Sequence, residues 1–129
     1  MLGQRLNKLL LIKKRPDFVH VSKNGKHVVK SGFILQASRN KDMLVFANGR
    51  IGYTASKKVG CAVDRARAKR RVRPLVFKYK ELLIPGYDYV IICRSVLLNY
   101  DSEKLDKDIY SAFVEVNNKF SNENEAHAE

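Results

Sequence analysis

The sequence predicts an α+β fold, a two-layer sandwich in which helices pack on a mixed sheet in the order α-β-β-β-α-β-α. Short runs of β-branched and aromatic residues, separated by turn-forming residues, predict strands in the first half of the chain. Longer stretches with apolar residues at spacings of three and four predict helices, and one continuous apolar run predicts a buried central strand. With 129 residues, 45% of them hydrophobic, the chain suits a single globular domain.

The first helix is predicted over residues 16–23. Pro16 suits the first helical position, where a missing N–H costs nothing, and Asp17 suits the positive end of the helix dipole. The turn-forming pair Asn24-Gly25 then ends the helix.

Short strands follow the first helix. Val28–Val29, Phe33–Ala37 and Arg50–Ala55 are β-branched or aromatic runs, and we expect them to pair as antiparallel strands. The run Met43–Ala47 has two interpretations, a hairpin arm that pairs across Asn48-Gly49 or the loop that leads into the next strand. The sequence leaves both open.

The second helix is predicted after Gly60, because apolar residues at spacings of three and four alternate with long basic residues. Pro74 lies inside this pattern and has no N–H for the carbonyl of Arg70, so the helix should kink or break near residues 70–74. A bend is favoured over an end, since the apolar stripe continues beyond the proline. The stripe consists of Val72, Leu75, Val76 and Tyr79.

The last third of the chain predicts a central strand and a long helix. The strand is Tyr89–Cys93, and the helix starts at Asp101 or Ser102. The final nine residues have no large apolar side chain, so we expect one domain over residues 1–120 and an acidic flexible tail over 121–129. The apolar stripe of the helix is Leu105, Ile109, Ala112, Phe113, Val116 and Phe120.

The charge is strongly basic and unevenly distributed. The chain has 25 Lys and Arg against 13 Asp and Glu, a formal net charge of +12. Residues 1–80 hold 21 of the basic and 3 of the acidic side chains, whereas residues 81–129 hold 4 and 10. This asymmetry predicts one basic surface and a polyanionic partner, either a nucleic acid or an acidic membrane surface.

The basic residues concentrate between positions 57 and 73, where eight of 17 residues are basic and one is acidic. A short charge run is usually a solvated helix face or a nuclear-type signal, but eight cations in one helical segment repel one another unless a polyanion neutralises them. We therefore predict RNA or DNA binding. The candidate binding residues are Lys57, Lys58, Arg65, Arg67, Lys69, Arg70, Arg71 and Arg73.

Several other classes of protein are disfavoured. Cys61 and Cys93 form neither a disulfide framework nor a C-x-x-C motif, which favours the reducing cytoplasm. No apolar run is long enough for a bilayer span or a signal peptide. The acids of the basic region, Asp17, Asp42 and Asp64, are too widely spaced for a metal nuclease, so no catalytic residue and no metal site is predicted in this chain.

The basic segment resembles the signature of the protein subunit of bacterial ribonuclease P. The matching residues are Arg50-Ile51-Gly52 and then the run SKKVGCAVDRARAKR over positions 56–70. The resemblance extends upstream to Arg15-Pro16-Asp17-Phe18 and downstream to Asp88–Ile92, and it covers most of residues 5–115. The chain departs from the family pattern at four positions, which are Ser22, Cys61, Ala66 and Pro74.

The resemblance implies an RNA-binding domain in a ribonucleoprotein that removes the 5′ leader of precursor tRNA. The catalytic centre and its Mg²⁺ would then lie in the RNA subunit, with no cofactor in the protein and one protein for each RNA. The basic helix would bind the RNA subunit, and a cleft between the first helix and the sheet would hold the leader. Core burial is the ordinary alternative for the two phenylalanines of that cleft. The cleft residues implied are Lys14, Arg15, Phe18, Phe33 and Gln36.

Two other functions share part of this pattern. A ribosomal-type or general single-stranded RNA-binding protein without a processing role would have the same charge and fold, and only the signature over Lys57–Arg70 argues against it. An interfacial membrane protein would need a bulky apolar helix face. The basic helix offers mainly small apolar residues before Val72, so we predict no membrane partner.

Overall fold

A computed structural model describes residues 9–46 and 48–128, with side chains up to residue 122. The order of its helices and strands, α-β-β-β-α-β-α, confirms the predicted fold class. Two short 3-10 helices, Lys80–Leu82 and Ser95–Asn99, lie on either side of the last strand. The main elements are α1 (Arg15–Asn24), β1 (Lys26–Val29), β2 (Phe33–Arg39), β3 (Arg50–Ala55), α2 (Ala62–Lys78), β4 (Tyr87–Cys93) and α3 (Ser102–Ala128).

The four strands form one mixed sheet in the order β1-β2-β4-β3. β2 pairs antiparallel with β1 and β4, whereas β3 pairs parallel with β4. The expectation that Arg50–Ala55 would be antiparallel is therefore wrong. The connection from β3 to β4 contains α2, and such a helical crossover returns the chain to the same end of the sheet, which makes the two strands parallel.

The run at residues 43–47 is a loop over its described part. Met43–Phe46 has no strand structure, and Ala47 lies outside the described residues. Asn40 organises the loop, since its Oδ1 accepts hydrogen bonds from the backbone N–H groups of Asp42 (2.9 Å) and Leu44 (3.2 Å). The loop interpretation is the correct one for these four residues.

The sheet has a main core on one face and a smaller core on the other. Alternate β2 residues, Phe33, Leu35 and Ala37, face the main core, into which α2 and α3 pack. On the opposite face α1 packs against β2 and β4. The small core there consists of Ile12, Val21 and Val90, with Phe18 and Ile92 packed against it. The cleft that the sequence resemblance implies would lie beside this small core.

Helix α2 continues from Ala62 to Lys78 with Pro74 inside it. The proline therefore does not end the helix. Ala68, Val72 and Val76 are buried against the main core and hold both halves of α2, which offsets the hydrogen bond that Pro74 removes. The basic residues lie on the exposed side of the helix.

Helix α3 continues through Ala128, past the predicted domain end at residue 120. Of the two predicted caps, Asp101 is the one bonded to the helix, because its Oδ2 accepts the backbone N–H of Lys104 at 3.0 Å. Phe120 is the last α3 side chain among those that pack on the main core. The flexibility of residues 121–129 stays a prediction, and Glu129 lies outside the described residues.

Candidate RNA interface

A buried ion-pair network fixes α1 and β3 against β4. The guanidinium of Arg50 donates two hydrogen bonds to Asp88, from Nε to Oδ1 at 2.9 Å and from Nη2 to Oδ2 at 2.8 Å. The same Nη2 lies 3.6 Å from Oδ2 of Asp17 on α1. Asn40 also donates from Nδ2 to Asp88 Oδ1 at 3.2 Å. The hydrogen bond to Asp88 raises the pKa of Arg50, so its charge is permanent.

The close approach of Phe18 to Gly52 provides a second contact between α1 and the sheet. A Cβ atom on Gly52 would lie 2.5 Å from Cε1 and 2.8 Å from Cζ of the Phe18 ring, so only glycine leaves room for the ring. Phe18 is half-buried there. The segments 15–18, 50–52 and 88–92, which share the sequence resemblance, thus meet at one place and fix α1 on the sheet.

The basic face of α2 borders an open groove of about 570 Å³ between the helix and the end of β3. Half of the lining residues are cationic, and the remaining ones are small or aliphatic. Because the apolar side of α2 is buried in the main core, the cations project from the other side of the helix. The groove is lined by Ala55, Ala62, Val63, Arg65, Ala66, Lys69, Arg70 and Arg73.

The groove cations have few internal partners. The guanidinium of Arg73 lies 5.6 Å from the centre of the Tyr53 ring, an orienting cation–π contact. Burial raises the pKa of Tyr53 to about 12, so the phenol is neutral at physiological pH. Nε of Arg65 is buried and has no hydrogen-bond partner among the described residues.

Arg71 differs from the other candidates because its guanidinium is already hydrogen-bonded within the protein. It donates from Nη1 to the carbonyl of Leu97 at 2.6 Å and from Nη2 to Oγ of Ser102 at 3.2 Å. Arg71 therefore ties α2 to the start of α3, and we omit it from the proposed interface. Lys57 and Lys58 are exposed in the turn before α2, and Arg67 and Arg70 are exposed on the helix.

The predicted leader residues lie in three different environments. Lys14 and Arg15 are exposed at the start of α1. Gln36 is half-buried and pairs with Val90, which places it on the sheet face that α1 covers. Phe33 is fully buried in the main core on the opposite face, so the prediction that it stacks on a leader base is wrong. Side chains three positions apart on a strand point to opposite faces, and Phe33 and Gln36 have that spacing.

Sequence reasoning gave no role to Asn40, Tyr53 or the Arg50–Asp88 pair. Asp88 interrupts the apolar run of β4, and a charged residue at 1% exposure requires a partner. The position of Asp88 within this apolar run is therefore the one sequence feature that indicates a buried ion pair. The partner itself, 38 positions away, could be identified only from the folded chain.

Metal and membrane features are absent from the part of the chain that the structure describes. There, no three His, Cys, Asp or Glu side chains come together in a way that could hold a metal ion. Within the same residues, no helix combines the length and the apolar character that crossing a membrane requires.

Comparison with known proteins assigns the family. The family model described as Ribonuclease P matches residues 6–117. A ribonuclease P protein component from Macrococcus caseolyticus is 35% identical over 104 residues, which is 81% of this chain and 87% of the relative. The Staphylococcus aureus RNase P protein structure has a TM-score of 0.67 at 28% identity, covering 81% of this chain and 93% of that one. The Thermotoga maritima RNase P protein structure has a TM-score of 0.65 at 25% identity, and the match covers 78% of this chain and 92% of that one. The chain belongs to the ribonuclease P protein family.

Proposed function

We propose that this chain binds the ribonuclease P RNA along the basic face of α2 and the single-stranded leader of its substrate in the cleft beside α1. By its family, the chain is a component of an endoribonuclease holoenzyme and assists the RNA subunit in the 5′ processing of precursor tRNA. The observation on which the proposal rests is the groove beside α2, with Arg65, Lys69 and Arg73 on consecutive turns.

Contact with the RNA subunit is supported by the charge and the hydrogen-bonding state of the α2 cations. Arginine and lysine neutralise phosphates and release their counterions, and arginine can also donate two parallel hydrogen bonds to one phosphate. Small residues in the groove, such as Ala62 and Ala66, allow a backbone phosphate to approach the helix closely. The proposed contact residues are Lys57, Lys58, Arg65, Arg67, Lys69, Arg70 and Arg73.

The leader site has one aromatic residue rather than two. Phe18 offers a half-buried ring, Gln36 a polar group on the facing sheet, and Lys14 and Arg15 the cations for phosphates. An aromatic face accepts any base and a cation follows any backbone, so such a cleft tolerates varied leader sequences.

Catalysis itself is assigned to the RNA subunit, with its Mg²⁺ there and no cofactor in the protein. Asp17 and Asp88 both lie against the Arg50 guanidinium, so neither is a free carboxylate that could hold a catalytic metal. We further propose one protein for each RNA, no membrane partner, and a cytoplasmic location. Family membership favours this processing role over that of a ribosomal-type or general RNA-binding protein.

Binding to ribonuclease P RNA should weaken steeply with salt, because phosphate neutralisation releases counterions. If about five phosphates are neutralised at single-stranded positions, the slope of log K against log salt concentration is about −3.5. Fluorescence anisotropy titrations of labelled RNA at several KCl concentrations measure this slope. A slope near zero would contradict an electrostatic interface.

Phe18→Leu should selectively weaken binding of leader-bearing precursor to the reconstituted holoenzyme. Loss of one base stack corresponds to about 1–3 kcal/mol, whereas leucine retains much of the apolar volume beside Gly52. The measurement compares affinities for precursor and mature tRNA in the wild-type and variant holoenzymes. If the variant folds normally and keeps the wild-type preference for precursor, Phe18 does not contact the leader.

A further inference from the structure

An exposed aromatic residue lies at the C-terminal end of the basic face of α2. The Phe77 side chain is 42% exposed. Among the described residues, the core clusters include its neighbours Leu75, Val76 and Tyr79 but not Phe77. At this exposed fraction, a large part of the Phe77 ring is not covered by the packing of α2.

Phe77 continues the line of cations along the helix. It follows Arg73 by four residues and Arg70 by seven, so the three side chains share one face. Four residues correspond to about 6 Å along the helix axis. Lys80 follows Phe77 by three residues, and its Nζ lies 4.2 Å from the centre of the Phe77 ring. The aromatic surface is thus flanked by cations at both ends.

We propose that Phe77 stacks on an unpaired base of the RNA bound along α2, so that this face binds both phosphates and a base. The inference rests on the proposed function of α2. A phosphate bound at Arg73 brings the adjoining nucleotide close to the ring, and Lys80 attracts the next phosphate. Base stacking on an aromatic ring supplements such charge contacts without sequence preference. A ring with a cation on one face and 42% exposure still has surface for this contact.

The absence of tryptophan from the chain permits a direct test. Phe77→Trp introduces a single fluorophore at the proposed stacking position. Tyr110→Trp is the matched control, since Tyr110 is 49% exposed but lies on α3, where its ring contacts Tyr79 at 5.3 Å between centroids. Each variant is titrated with ribonuclease P RNA and with inorganic polyphosphate, a polyanion without bases.

We expect the RNA, but not polyphosphate, to quench and shift the emission of the Phe77→Trp variant, because only the RNA offers a base to stack. Neither titrant should alter the emission of Tyr110→Trp. Unchanged emission of Phe77→Trp at saturating RNA would overturn the proposal. Equal quenching by polyphosphate would overturn it as well, since the fluorophore would then report charge alone.

Affinity provides an independent measurement. Phe77→Leu should weaken binding of ribonuclease P RNA by about fivefold or more, because one base stack is lost. The slope of log K against log salt concentration should stay the same, because every phosphate contact is kept. Tyr110→Leu should bind like the wild type. Wild-type affinity in Phe77→Leu, with a steep salt slope retained, overturns only this inference. A wild-type chain that binds without salt dependence overturns the proposed function of α2 together with it.

Discussion

Replacing Asp88 by alanine is expected to lower the free energy of unfolding by about 3 kcal/mol, because the Arg50 guanidinium loses its bidentate partner and keeps only Asp17 at 3.6 Å. Asp88 is 1% exposed and the Arg50 side chain 15%, so water replaces the two hydrogen bonds only in part. Asn40 also loses its acceptor. The energy arises mainly from the Arg50 charge left without its bidentate partner, since a whole buried pair adds little net stability.

Urea denaturation of the protein without RNA measures this loss. The matched control is Glu115→Gln, which breaks the 2.9 Å pair with Lys30 at a side chain that is 51% exposed and should cost at most about 1 kcal/mol. A loss for Asp88→Ala no larger than that of the control would contradict the structural role of the network.

Replacing Arg65 and Arg67 together by alanine is expected to weaken binding of ribonuclease P RNA by about 2–4 kcal/mol, because two charge-assisted contacts to phosphates are lost. The salt slope should become less negative by about 0.7 for each contact at a single-stranded position. Arg67 is exposed and Arg65 is half-buried, so the fold should tolerate both changes. Anisotropy titrations against salt measure affinity and slope together.

The control for this variant removes the same charge elsewhere. Lys104 and Lys107 are exposed on α3, in the acidic third of the chain, and their joint replacement by alanine also lowers the net charge by two. A localised interface predicts near wild-type binding for this control. Equal weakening by both double variants would show that net charge alone, rather than the face of α2, determines binding.

The elements themselves could be predicted from local sequence. The apolar stripe of α3 has the helical period, whereas the run of β4 is identified as a strand by its shortness and its β-branched residues. The antiparallel orientation expected for β3 is wrong because local runs specify strands and not their neighbours. A predicted helix between β3 and β4 contained the information for parallel pairing, since parallel strands need such a crossover.

The basic surface was predictable as a whole, but the role of each residue was not. Eight cations in one segment indicate a polyanion, whereas the bonds of Arg71 to Leu97 and Ser102 exist only once α2 has packed beside the start of α3. Phe33 shows the same limit, since an aromatic residue suits a core and a binding cleft equally. The alternation of side chains along the strand decides between the two locations, because Phe33 is three positions from Gln36 and therefore faces the opposite side of the sheet.

We propose that this chain assists a ribonuclease P RNA through the face of α2, and reconstituted cleavage measures that assistance. A ribonuclease P RNA is assayed on precursor tRNA at low Mg²⁺ concentration, with and without the purified chain, and with Arg65→Ala/Arg67→Ala in its place. We expect 5′ cleavage that depends on the RNA, is strongly stimulated by the wild-type chain, and is stimulated by the variant only at higher protein concentration. Cleavage by the chain without RNA, or no stimulation by a chain that binds the RNA, would show that the chain does not act in this way.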